Sequence, residues 1–305
     1  MSPRAWIAFF AVSTLWGIPY LFIKIAVDDG ISPGFLAWVR VVLGGAVLLG
    51  LAWVAGVLAP LRGRWGWLSG FAVIEIVVPF PLIAAGEQHV DSSLAAIIVA
   101  AAPLFVALLA LAGFDDTERV SGSRLGGLLL GLVGVIALVG IDATGSTDEL
   151  LGAAAILLSA FCYAVGPMIL KRKLADLDPR ASMGAALAIA ALVLTPAAVL
   201  APPRGTPSAE AVVSLVVLGI FCTAAAFAFY GALVAEAGAG RALVITYIAP
   251  VVAVALGVVV LGERPGPGAA AGLLLILAGS WLATGGRLPP GRRRRSQTPL
   301  PPAPG

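Results

Sequence analysis

Glu75 is the residue with the most chemistry to offer in this chain. It stands in GFAVIEIVVPFP, with apolar neighbours on both sides, and a carboxylate at the centre of a lipid-crossing helix costs about 2.5–3.5 kcal/mol on an insertion scale. That cost argues against lipid exposure, and desolvation favours the neutral acid unless a cation stands close. Arg40, in LAWVRVVLGG, is the nearest cation at comparable depth. Three roles are open: Glu75 as a proton-coupling carboxyl, Glu75 as a contact for an amine on a cargo, or an Arg–Glu brace between two helices. Lys24 has Asp28 one helical turn on, which suits a snorkelling surface ion pair as well as a cargo contact.

Catalytic equipment is absent from the same stretches. The apolar spans hold one deep carboxylate, two isolated cysteines (Cys162 and Cys222) and no histidine, so no nucleophile, base and metal can be assembled there. Both cysteines read as small apolar core residues. His89, the single histidine, falls in the connection EQHVDSS without a second ligand, so no metal is expected. Nothing matches G-x-x-x-x-G-K-[ST], which leaves ATP out as a direct energy source. The expectation is a protein that is not an enzyme, takes no cofactor and binds no nucleic acid.

The elements that position these groups follow from composition. A chain that is 60% hydrophobic and 11% charged cannot clothe a water-facing surface. Apolar runs of about 20 residues, enough to cross a hydrocarbon core of about 30 Å as helix, fall at 5–27, 34–59, 65–86, 92–112, 122–141, 149–170, 181–201, 209–234, 240–261 and 267–286. Barrel strands would alternate instead. The fold class is therefore all-α and polytopic, with ten spans and eight as the nearest other count. Pro19 and Lys24, with no small-residue cleavage site, mark the first span as a mature helix rather than a signal peptide.

Charge gives the orientation. With the N-terminus inside, fifteen of the nineteen basic residues lie on the inner side, only Arg204 and Arg264 in outer connections, and Lys24 and Arg40 within spans. This imbalance matches the positive-inside rule and places both termini in the cytoplasm. Residues 287–305, with Arg292 to Arg295 and a Pro-rich end, read as a disordered cytoplasmic tail that touches anionic headgroups.

An internal repeat orders the spans. Ala95 to Gly140 contains AAIIVAAAP and then DTERVSGSRLGGLLLGLVGVIALVG; from Ala242 the chain reads ALVITYIAP and then LGERPGPGAAAGLLLILAGSWLATG. Five spans per unit make the second copy enter the bilayer inverted, the construction of secondary transporters. The units are residues 1–141 and 142–286. Helix breakers recur at matching places: Gly17 and Pro19 answer to Gly166 and Pro167, and Pro103 to Pro250. Proline removes a backbone donor, so Pro103 should release the carbonyl of Val99 and Pro250 that of Thr246. Trp16, Tyr20, Trp38, Phe80, Tyr163, Phe227, Tyr230 and Tyr247 share that depth and, with Thr246, are candidates to line a cavity. Gly127 and Gly131, and Gly268 and Gly272, have the spacing that lets helices approach closely, inside one protomer or in a homodimer.

TLWGIPYLFIKIAV in the first span, LAWVRVVLGG in the second, and the twice-used block of Ala-rich helix, proline, apolar run, Glu-Arg and Gly-rich helix together resemble the EamA-type branch of the drug/metabolite transporter superfamily. The likeness covers residues 5–286, with Trp16-Gly17, Lys24, Arg40, Pro103, Glu118, Pro250 and Glu263 at the family's positions. It implies ten helices in two inverted five-helix halves around a central cavity. It also implies export of a small metabolite, amino acids among the candidates; with the inverted repeat, the expectation is a carrier of a bacterial cytoplasmic membrane that works by alternating access. One departure stands out: the link from Pro103 to Glu118, which contains Asp115 and Asp116, is two residues longer than that from Pro250 to Glu263. Glu118 and Glu263 are expected to act on the N-terminus of the helix that follows each. The rival readings are a channel or membrane assembly factor and, more remotely, a membrane-embedded enzyme.

Overall fold

A computed structural model describes residues 2–113, 122–142, 146–237 and 245–283. Among them the chain is helical, without strands: α1 (Pro3–Gly17), α2 (Pro19–Asp28), α3 (Pro33–Val54), α4 (Trp65–Ala72), α5 (Pro79–Gly86), α6 (Ser92–Val99), α7 (Ala102–Leu111), α8 (Gly122–Asp142), α9 (Thr147–Lys173), α10 (Pro179–Leu200), α11 (Ala209–Val216), α12 (Ala226–Ala237), α13 (Ile245–Val260) and α14 (Pro267–Ala283). Among the described residues, seven stretches are long and apolar enough to cross a membrane: Pro3–Asp28, Pro33–Val54, Trp65–Gly86, Ser92–Leu111, Thr147–Lys173, Pro179–Leu200 and Ala209–Val234. Shorter apolar helices at Leu125–Leu138, Ile245–Val260 and Pro267–Ala283 fall where the fifth, ninth and tenth spans are expected.

Local sequence sets where several helices begin. Ser2-Pro3, Ser32-Pro33 and Asp178-Pro179 each put an oxygen-bearing side chain at the cap and proline at the first helical position, where its missing N–H is no loss. The Ser32 hydroxyl accepts from Phe35 N at 3.3 Å and the Asp178 carboxylate from Arg180 N at 2.8 Å. Hydrogen bonding to the Arg180 side chain holds the Asp178 carboxyl below the usual range.

The irregular places differ from the proline rule. The first span is interrupted at Ile18, between Gly17 and Pro19, and the fourth at Ala100-Ala101, just before Pro103. Pro167 and Pro250, expected as matching breaks, lie inside the uninterrupted helices α9 and α13. A membrane helix absorbs one missing bond where its neighbours pack closely, and Gly17 of α1 lies flush against Ala249 and Val252 beside Pro250. Two further irregularities have no proline inside them: the π-helical turns Val73–Val77 in the third span and Val217–Ala225 in the eighth.

Packing runs mostly between the first five spans and the last five. α8 lies along α14, α3 along α10 and the second π segment, α5 along α9, α1 along α12 and α13, and α6 along α13. Glycine sets the closest of these approaches. A Cβ at Gly279 would collide with the Gly131 backbone, and one at Gly134 would sit 2.8 Å from Leu275 Cβ. The glycine faces of the fifth and tenth spans are thus spent inside the protomer. Outward-facing Trp53, Val54, Leu192, Leu200 and Val259 give the bundle an apolar coat, as lipid requires.

Candidate functional site

Arg40 lies on α3 at 7% exposure, opposite the second π segment. Gly44 and Gly219 permit this approach: a Cβ at Gly44 would stand 2.8 Å from Thr223 Cγ2, and one at Gly219 2.6 Å from Leu43 Cβ. Arg40 Nε donates to Thr223 Oγ1 at 2.9 Å, and that hydroxyl donates to Leu218 O at 2.8 Å. The five-residue reach of the second bond belongs to the π turn. The guanidinium carbon lies 3.9 Å from the centre of the Phe80 ring, a cation–π contact worth about 2 kcal/mol when desolvated. Among the described residues, no ion pair joins Arg40 to Glu75, so the brace foreseen as one alternative is not formed.

Glu75 sits within the first π segment, and its Oε2 is buried without a hydrogen-bond partner among the described residues. Room for the carboxyl comes from α9: a Cβ at Gly166 would collide with Oε2 and stand 3.0 Å from Cδ. Tyr163, one helical turn before Gly166, lies within electrostatic range of both Arg40 and Glu75. Tyr20 shares that range with Tyr163 and Arg40, and Tyr230 with Glu75. Arg40 and Glu75 therefore share Tyr163 as a neighbour, with Tyr20 on the Arg40 side and Tyr230 on the Glu75 side.

The other candidates are less central. Trp16 packs on Tyr230 and Phe227, with ring centres 5.0 and 5.6 Å away. Trp38 turns its Nε1 to Thr195 Oγ1 at 3.1 Å. Thr246 and Tyr247 are half-buried on α13. Cys162 and Cys222 are free and buried. Lys24 makes the expected pair with Asp28 at 3.0 Å and also donates to the Glu87 carbonyl at 2.9 Å.

Sequence reasoning passed over Glu87 and misplaced Glu263. Glu87 has no exposed surface, and neither of its carboxyl oxygens has a partner among the described residues. Glu263 reaches the start of α6 rather than the helix that follows it: Ser92 N donates to Oε1 at 2.8 Å, Ser93 N to Oε2 at 3.0 Å, and the Ser93 hydroxyl bonds Oε2 as well. Asp91 holds the cap position of α6 but makes no cap bond. Burial first, and Glu263 next, raise the Asp91 carboxyl above its ordinary value. A helix N-terminus favours a carboxylate, and here the connection after α13 supplies it. Glu118 and the Asp115-Asp116 insertion lie outside the described residues.

Residues 4–140 and 150–285 each match the EamA-like transporter family. A protein of Streptantibioticus cattleyicolor named as a probable terminal-alkyne amino-acid exporter is 28% identical over 302 residues, covering 98% of each chain. A probable amino-acid metabolite efflux pump of Escherichia coli is 24% identical over 92% of this chain and 95% of its own length. The uncharacterized inner membrane transporter YedA of the same organism is 29% identical over 84% of this chain and 82% of its own length. One solved crystal structure superposes with a TM-score of 0.65 at 23% identity, covering 93% of this chain and 97% of that one, a likeness in fold.

Proposed function

The chain belongs to the EamA-like transporter family, and from that premise we propose that it exports an amphipathic, amino-acid-like solute by alternating access between two inverted five-helix halves. The membership makes it a multi-pass membrane transporter of a small molecule. Export, cargo class and mechanism are the proposal's own. Support for the duplicated plan comes from the two family matches and from packing that pairs the third span with the sixth and the eighth with the first. The paired π segments fall in those third and eighth spans.

A single arrangement carries the cargo reading: Arg40 and Glu75 both reach the bundle interior and do not neutralise each other. The guanidinium spends Nε on Thr223, and its two terminal nitrogens make no hydrogen bond among the described residues. Such a fork suits a carboxylate. Glu75 can take the ammonium end or a proton, and Tyr163 stands within range of both. Trp16, Phe80, Phe227 and Tyr230 offer apolar surface for a side chain. The names of two relatives, an amino-acid exporter and an amino-acid metabolite efflux pump, point the same way. The rim of the bundle at the α5–α6 connection faces outward in this reading, and both termini face the cytoplasm.

Counterflow in proteoliposomes tests it. Vesicles loaded with unlabelled phenylalanine should accumulate radiolabelled phenylalanine transiently and saturably, and a thermal-shift screen of amino acids, amines and sugars should raise the melting point with amino acids first. A melting point raised by sugars alone would refute the cargo class. Downhill flux without exchange would favour the channel reading.

A further inference from the structure

We propose that Glu87 is a proton-binding site at the outward end of the translocation path, screened in this conformation by the latch that Glu263 makes with Ser92 and Ser93. The inference rests on the carrier reading for its direction, but not for the site itself. Glu87 follows the last residue of α5, has no exposed surface and leaves both carboxyl oxygens without a partner among the described residues. An ionised carboxylate so placed would carry an uncompensated desolvation cost, so the closed state selects the neutral acid. The nearest cation relieves it only in part: Lys24 lowers the carboxyl less than burial raises it, since its ammonium is directed to the Glu87 backbone carbonyl and to Asp28.

The surroundings make that proton exchangeable rather than permanent. Lys24, Asp28 and Tyr20 face Glu87 from α2, Arg40 from α3 and Glu263 from the connection after α13. α9 packs onto the same corner through Gly152, which lies against Gly86 O and His89 Cβ, and brings Glu149 within range of Asp91. The latch joins the two halves, since Glu263 belongs to the second and α6 to the first. Gly257 clears space for it: a Cβ there would collide with Glu263 Oε2 and Ser93 Oγ. Parting of the halves on this side must break three hydrogen bonds and admits water to Glu87. Water stabilises the carboxylate, Lys24 is at hand to pair with it, and the proton leaves to the outside. On re-closure the carboxylate takes a proton back from the outside water before that water is expelled.

Infrared difference spectroscopy of the carboxyl C=O stretch in purified, reconstituted full-length protein tests this with the proton as the only ligand. In wild type a buried-carboxyl component distinct from that of Glu75 should titrate as pH is stepped. Glu87→Gln should remove that component, and Glu75→Gln should leave it in place. Glu263→Ala should speed its shift on transfer into D2O several-fold. Should Glu87→Gln not fold, Glu87→Asp serves instead and should displace the component in frequency and midpoint. A component that survives both Glu87 variants, or an exchange rate indifferent to Glu263→Ala, overturns the proposal. Loss of phenylalanine counterflow in a wild-type protein that keeps the Glu87 component would count against the carrier reading and leave this site standing.

Discussion

Arg40 owes its place to two neighbours that no spacing rule could supply. That it lies inside a span was legible, because a lone cation in LAWVRVVLGG has nowhere else to be. Its partners were not, since Thr223 is 183 positions away in sequence and Phe80 reaches it from a third helix. Arg40→Lys keeps the charge and loses the planar fork. Half-saturation of phenylalanine counterflow should rise about tenfold, the equivalent of about 1.4 kcal/mol, whereas an unchanged value would remove the guanidinium from cargo binding. Glu75 was found by its isolation in an apolar run, but Gly166 as its counterpart was not, because that glycine was read with Pro167 as a helix break. Gly166→Ala should therefore lower the melting temperature, and adding Glu75→Ala should recover most of the loss, a non-additivity expected only of residues in contact. Additive losses would mean that the two do not meet. Glu75→Gln should abolish the dependence of export on a pH gradient in vesicles, and retained dependence would exclude Glu75 from coupling.

Helices announce themselves through long apolar runs, and their starts through Ser-Pro and Asp-Pro pairs, so the seven long apolar stretches among the described residues were readable to within about five residues. Their interior irregularities were not. A π turn depends on how side chains such as Glu75 and Thr223 settle against neighbouring helices, and Val73–Val77 and Val217–Ala225 contain no proline. Proline, in turn, misled twice, because Pro167 and Pro250 are accommodated within continuous helices. The glycine stripes are readable in sequence as close-packing faces, yet the part of Gly134 and Gly279 follows only from how α8 lies on α14. Gly279→Leu should cost about 1–3 kcal/mol or more of stability through overpacking, measured as a lower melting temperature in detergent; a wild-type value would contradict the α8–α14 contact. At α10, Asp178→Ala should cost about 1 kcal/mol through the lost cap. The Asp178 carboxyl is depressed in the folded protein, so its contribution is complete above the ordinary carboxylate range. It fades as pH falls through the folded value, below about 3.9. A pH series comparing Asp178→Ala with wild type should show the two converging only at the acid end.

The whole molecule interleaves its two parts rather than juxtaposing them, since the broadest packing surfaces each take one helix from residues before 143 and one from residues after 146. In the proposed carrier, movement between inward- and outward-open states would be a rocking of helices that already share a core, with the contact of the Glu263 carboxylate to the start of α6 as one that parts. Which end faces outward rests on the distribution of basic residues alone. The claim on which the carrier depends is that five-span units lie antiparallel, and side-selective thiol labelling tests it most directly. In a background with Cys162 and Cys222 replaced by alanine, single cysteines are placed at Asp91 and at Gly238, and an impermeant maleimide is applied to intact cells. The account predicts that the Asp91 site is labelled from outside and the Gly238 site only after the cells are opened; labelling of both from the same side would contradict it.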